Sequence, residues 1–256
     1  MAELALSVSG LRKSFGGLRA TDNLDLDVEQ GELHAVIGPN GAGKTTLISQ
    51  LAGELNPDGG RIIFEGRDVT RLPAHRRSAL GLARSFQITS VFRSLSALDN
   101  VAMAVQAHDG HSFRFWAQAR RQPGLRGPAL AALDQVGLAG RAEAVAAELS
   151  HGEQRQLEIA MALATRPRLL LLDEPTAGMG PDESGRMVEL LQSLKQSHTI
   201  VLIEHDMDVI FQLADRITVL VYGRAIATGA PDQIRRNDVV RQAYLGEEHS
   251  EVPADA

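Results

Sequence analysis

One octapeptide limits the folds open to this chain more than any other feature: Gly38-Pro-Asn-Gly-Ala-Gly-Lys44-Thr45. It fits the pattern G-x-x-x-x-G-K-[ST] and lies between a continuous apolar run, His34 to Ile37, and a helix-forming run over 44–53. A buried strand feeding a helix through a glycine-rich turn aims backbone N–H groups and the positive helix end at one spot. Glycine allows the backbone to approach an anion that side chains would hold off. Gly38, Pro39, Asn40, Gly41, Ala42 and Gly43 are therefore expected to wrap phosphates. Lys44 should reach the β and γ oxygens, and the Thr45 hydroxyl, with Thr46 beside it, should ligate Mg²⁺. Nucleotide binding is the expectation.

Such a turn needs a sheet around it, and the chain supplies one. Residues 4–37 read as short strands broken at Gly16-Gly17, Thr21-Asp22-Asn23 and Gln30-Gly31. The alternation Leu24, Leu26, Val28 marks one half-buried strand, and Arg61 to Phe64 another. From 96 to 149 Ala, Leu and Val recur at helical spacing, which predicts a helical insert interrupted by a Gly/Pro/Arg-rich stretch at 109–128. Beyond it helix and strand alternate: helices at 150–165, 181–197 and 206–214, strands at 168–173, 199–203 and 216–221. That order predicts an α/β fold with a parallel sheet. A pair of short helices should fill 231–245, and the acidic tail 247–256 is expected to be disordered.

Composition narrows the class further. The chain has 256 residues, 44% of them hydrophobic, and a net charge of −6, so neither a disordered chain nor a strongly nucleic-acid-binding one fits. No cysteine is present, which excludes disulfides, thiolate metal sites and cysteine nucleophiles. No signal peptide is visible and no apolar run approaches the ~20 residues of a membrane span. Membrane contact is thus expected only through a partner. Lysine occurs at three positions against 23 arginines. Lys44 is the one with assigned chemistry; Lys13 and Lys195 are expected in solvent.

Two further segments carry chemistry. Arg168-Leu-Leu-Leu-Leu-Asp173-Glu174-Pro175 reads as a buried strand ending in two carboxylates, at the strand end where open parallel sheets collect ligands. Asp173 would orient Mg²⁺ and Glu174 would polarise an attacking water. Ser150-His-Gly-Glu153 is S-x-x-E, a capping box that starts a helix. It reads either as a plain helix start or as one whose uncovered Gly152 lets the N–H groups receive an external phosphate.

These segments, with Ile203-Glu-His205-Asp-Met, occur in an order that resembles the nucleotide-binding subunit of ATP-binding-cassette (ABC) transporters, from about Leu4 to Gly246. The resemblance implies a P-loop NTPase cassette: a mostly parallel core (1–95 and 150–246), an N-terminal antiparallel β subdomain and an inserted helical subdomain (96–149), together one domain over 1–246. It implies that Phe15 stacks on adenine, the alternative being an ordinary core aromatic. It implies that Gln87 senses Mg²⁺ and the attacking water, the alternative being a strand-end amide. His205 would contact the γ-phosphate rather than sit satisfied in the core. Ser150, Gly152 and Gln154 would contact the γ-phosphate held by a second subunit.

Partners follow from the same resemblance: a homodimer or heterodimer with another ABC ATPase subunit, transmembrane permease subunits, and indirectly a substrate-binding protein, at the cytoplasmic face of the inner membrane. The Phe15-Gly-Gly-Leu, Ala177-Gly-Met and Gln242-Ala-Tyr-Leu-Gly segments look most like branched-chain amino-acid importers, with urea and short-amide importers as near relatives and a soluble ABC ATPase as the further alternative. The signature departs from the common Ser-Gly-Gly-Gln at His151 and Glu153, and Gly180 replaces an Asp. A Glu153 carboxylate would repel a γ-phosphate unless it turns back to cap its own helix. Arginines and aromatics interleave at 113–126, but a subfamily insert is the expectation there, with no nucleic-acid partner.

Overall fold

The computed structural model describes residues 3–85, 91–108 and 123–248. The chain divides into two compact units, Met1–Ala74 with Thr199–Ala256, and His75–His198.

The first unit holds an antiparallel sheet and four strands paired in a mixed arrangement. Strands β1 (Leu4–Phe15) and β2 (Leu18–Glu29) form a long hairpin, and β4 (Gly59–Phe64) pairs on the other side of β1, with β5 (Arg67–Asp68) at the edge. Leu24, Leu26 and Val28 are buried while Asp25 and Asp27 face solvent, the alternation of a half-buried strand. The expected turn at Thr21-Asp22-Asn23 is instead continuous strand. The pairing passes from Leu11↔Leu24 to Lys13↔Thr21, so a β-bulge absorbs the extra residue, and Asn23 takes φ +52°. Asn and Asp tolerate left-handed backbone in bulges as they do in turns, so the residue types alone did not separate the two.

The second sheet of this unit runs β10–β9–β3–β8: β10 (Arg224–Gly229), β9 (Arg216–Val221), β3 (Leu33–Ile37) and β8 (Thr199–Ile203). β3 pairs parallel with both neighbours, which is why every residue of β3 and β8 is buried. His34 interrupts the apolar run without penalty, because its ring nitrogens meet Glu32 Oε1 at 2.9 Å and Thr218 Oγ1 at 2.8 Å. Helices α1 (Lys44–Ala52), α7 (Met207–Leu213), α8 (Pro231–Arg235) and α9 (Asp238–Glu248) complete the unit. Ala35, Ile37, Ile210, Ile217, Val219, Ile234 and Val240 form one core cluster. Each buried Ile or Val there is worth about 1.5–3 kcal/mol relative to solvent.

The second unit begins with α2 (Ala74–Ala79) and pairs β6 (Leu82–Arg84) parallel with β7 (Leu169–Asp173). Its helices are α3 (Ala97–His108), α4 (Pro123–Gln135), α5 (His151–Leu163) and α6 (Pro181–Lys195), of which α3, α4 and α5 pack on one another. Lys195, expected in solvent, is half-buried in the last turn of α6.

Candidate functional site

In the first unit, β3 delivers the chain into the loop at Gly38, and α1 starts at Lys44. Glycine is required at both ends of this loop. At Gly38 (φ +153°) a Cβ would lie 2.2 Å from the Leu220 carbonyl oxygen, and at Gly43 (φ +103°) 2.1 Å from the Ala20 carbonyl oxygen. The Gly223 N–H donates to Ala42 O at 2.9 Å, tying the loop to the β9–β10 turn. Gly43 is the N-cap of α1 and offers no side chain to the first helical N–H groups, the arrangement that suits an external anion. Lys44 Nζ donates to Gly38 O at 2.6 Å and to Pro39 O at 3.0 Å, so its ammonium lies against the loop it would serve. Thr45 is exposed and Thr46 half-buried in the first turn.

Phe15 and His205 belong to the same unit. Phe15 stands at the tip of the β1–β2 hairpin beside Gly16-Gly17 and is 51% exposed, so it is not a core aromatic. The side chain of His205 is 65% exposed, so it is not a satisfied core histidine. It follows Glu204, a fully buried carboxylate whose Oε2 accepts the His205 N–H at 3.2 Å. Asp206 then caps α7, accepting from the N–H groups of Asp208 and Val209.

The second unit carries the carboxylates. Asp173 ends β7, buried, and its Oδ2 accepts a hydrogen bond from Arg84 Nη2 on β6 at 3.0 Å. Burial of both groups makes this pair a fixed feature of the strand ends rather than a surface contact. Sequence reasoning passed over Arg84, although an arginine inside a three-residue strand of otherwise apolar residues signals a buried partner. Glu174 follows with φ +48°, half-buried. Left-handed backbone at a carboxylate costs on the order of 1 kcal/mol or more, and such strain collects at functional positions. Gln87 and the aromatic-arginine stretch from 109 to 122 lie outside the described residues.

The start of α5 is in this unit too. Ser150 Oγ accepts the Glu153 N–H at 3.2 Å, and Glu153 Oε2 accepts the Ser150 N–H at 2.8 Å, a complete capping box. The Glu153 carboxylate has thus turned back onto its own helix, as the capping box allows. Gln154 Nε2 donates to Leu149 O at 3.0 Å. A second carboxylate, unforeseen from sequence, lies here: Ser150 Oγ donates to Glu183 Oε1 at 3.1 Å, and Glu183 crowds Gly152 so that a Cβ there would meet it at 3.0 Å.

Among the described residues no group of three or more His, Asp or Glu side chains could hold a metal by itself. Taken separately, the exposed Thr45 hydroxyl in the first unit and the Asp173 carboxylate in the second, already held by Arg84, are hard oxygen donors. Each is of the donor type that suits Mg²⁺, a hard cation bound through oxygen.

The chain matches the ABC transporter family model over residues 21–177 and the model of the branched-chain amino acid ATP-binding cassette transporter over 226–250. It is 40% identical over 254 residues to the high-affinity branched-chain amino acid transport ATP-binding protein BraF of Pseudomonas aeruginosa, covering 96% of this chain and all of the other. To the LivG protein of Escherichia coli it is 39% identical with the same coverage. Among solved structures, an ATP-binding cassette of an ABC transporter in its ADP conformation superposes with a TM-score of 0.84 at 27% identity, over 95% of this chain and 99% of that one.

Proposed function

The chain belongs to the ATP-binding family of ABC transporters, and from that premise we propose that it is the ATP-hydrolysing subunit of a branched-chain amino-acid importer, acting at the cytoplasmic face of the membrane. The observation that carries this reading is the 40% identity to BraF along essentially the whole of both chains. The separate match at 226–250 favours branched-chain amino acids over urea or short amides. Among the described residues no helix is long and apolar enough to cross a membrane; the permease partners of this reading come from the family the chain belongs to. We treat 1–246 as one cassette with 96–149 as its helical subdomain.

The chemistry is ATP hydrolysis. The loop N–H groups and Lys44 bind the phosphates, and Phe15 stacks on the adenine. Thr45 and Asp173 would hold Mg²⁺, which Gln87 would sense together with the attacking water; the ion would supply charge neutralisation to the phosphates. Glu174 accepts a proton from the attacking water as its oxygen bonds the γ-phosphorus and the bond to the ADP oxygen breaks. His205 donates to the γ-phosphate and holds that geometry. Ser150, Gly152 and Gln154 of a second ABC subunit close over the same phosphate, so ATP binding joins two subunits and hydrolysis releases them.

Deleting the gene should abolish high-affinity leucine uptake and spare urea and short-amide uptake, and the tagged protein should copurify with transmembrane permease subunits. Undiminished leucine uptake, or persistent copurification with ribosomes in place of permeases, would overturn the reading. Within the site, Lys44→Arg should weaken ATP binding about tenfold despite preserving charge, because a planar guanidinium cannot lie where the compact ammonium meets two loop carbonyls. Equilibrium titration with ATP checks it; parental affinity would count against the assignment.

A further inference from the structure

Lys13 was expected in solvent, yet its side chain is only 16% exposed. Its Nζ donates to Asp58 Oδ1 at 2.8 Å. The other oxygen of the same carboxylate, Oδ2, accepts the Ser14 N–H at 2.8 Å, and the Asp58 N–H donates to Arg12 O at 2.8 Å. Asp58 therefore grips three consecutive residues, Arg12, Lys13 and Ser14, at the end of β1. The next residue is Phe15, and the Lys13 ammonium lies 5.7 Å from its ring centroid.

An isolated surface ion pair contributes little to stability, so the pair has no evident use as a staple. Its geometry has another consequence. β1 ends in a hairpin tip with Gly16-Gly17, where backbone freedom is greatest and an exposed aromatic would otherwise sample many orientations. A carboxylate holding the backbone and side chain just before Phe15 removes that freedom. The identity of the cation fits as well. The Lys13 ammonium lies over one face of the ring, and its compact head covers less of it than a stacked planar guanidinium would.

We infer that the Lys13–Asp58 pair positions Phe15, presenting its ring to the adenine of bound ATP. Asp58 is a positioning residue for base recognition, and the inference rests on the reading that Phe15 stacks on adenine. The Lys13 hydrogen bond foremost, and the Ser14 N–H with it, hold the Asp58 carboxyl below its ordinary range.

The test compares the affinities of ATP and inorganic tripolyphosphate, measured by calorimetry for the parent, Phe15→Ala, Asp58→Ala and the double variant. Tripolyphosphate has no base, so its binding also reports that each variant is folded. The expected result is that Asp58→Ala lowers the ratio of ATP to tripolyphosphate affinity about three- to tenfold, a part of what base stacking supplies. Phe15→Ala should lower it at least as much, and the double variant no further. A parental ratio in Asp58→Ala beside a lowered one in Phe15→Ala would leave the stacking role standing and remove the positioning role. Full additivity in the double variant would also overturn it. An unchanged ratio in Phe15→Ala would remove the stacking reading, and this inference with it.

Discussion

Glu174→Gln is expected to bind ATP as the parent does and to hydrolyse it about 10²–10⁴-fold more slowly, the range that a positioned general base supplies. Gln matches Glu in size and accepts the same backbone, so the left-handed conformation at 174 (φ +48°) is retained and the change falls on proton acceptance alone. An amide cannot take the proton that the attacking water must lose, whereas the phosphate loop and Lys44 are untouched. In the proposed cycle hydrolysis reopens the paired subunits, so the variant should accumulate as an ATP-bound dimer. Phosphate release measures the first effect and size-exclusion chromatography with and without ATP the second. Hydrolysis at the parental rate would show that another group accepts the proton. A monomer that binds ATP but never pairs would separate the base assignment, left intact, from the head-to-tail arrangement.

Much of this architecture can be read from residue order because the responsible forces are local. β8 was predicted at 199–203 and runs Thr199–Ile203, since a continuous apolar run has no face to show solvent and fits only a buried parallel strand. The start of α5 follows from Ser150 and Glu153, whose capping bonds depend on nothing more than three residues away. The phosphate loop is legible because Gly38 and Gly43 meet backbone oxygens at distances no side chain could share.

What escaped the sequence reading is tertiary. Lys13 meets Asp58 across 45 residues, Ser150 meets Glu183 across 33, and Arg84 meets Asp173 across 89. No periodicity connects such pairs. Charge alone does not identify them, since the chain has 58 Lys, Arg, Asp and Glu residues from which to choose (26 + 32). The resemblance to a known family supplied Phe15 and His205, but not the groups that hold them: Asp58 beside one and the buried Glu204 beside the other.

The largest effect on stability should come from Arg84→Met. Arg84 and Asp173 bury their side chains to 9% and 1% exposure, with Nη2 to Oδ2 at 3.0 Å. Met approximates the stem of Arg and fills its volume, so packing between β6 and β7 is kept while the guanidinium is lost. The Asp173 carboxylate then keeps its desolvation and loses one of the contacts that offset it, which costs up to about 3–5 kcal/mol. For a chain of this size that lowers the midpoint of thermal unfolding by roughly 6–20 °C. Arg84→Lys should fall between, since it keeps charge and loses the planar fork. The double variant Arg84→Met, Asp173→Leu is the decisive comparison. Leu at 173 extends the Leu169–Leu172 run, both charges are gone, and replacing a whole buried pair by apolar groups is close to neutral. It should therefore recover most of the lost stability while remaining unable to hydrolyse ATP. Such a recovery would mean that the pair is kept for the carboxylate at the end of β7 and that Arg84 exists to make it tolerable there. A single Arg84→Met variant melting at the parental temperature would show instead that Asp173 does not need Arg84 to remain buried.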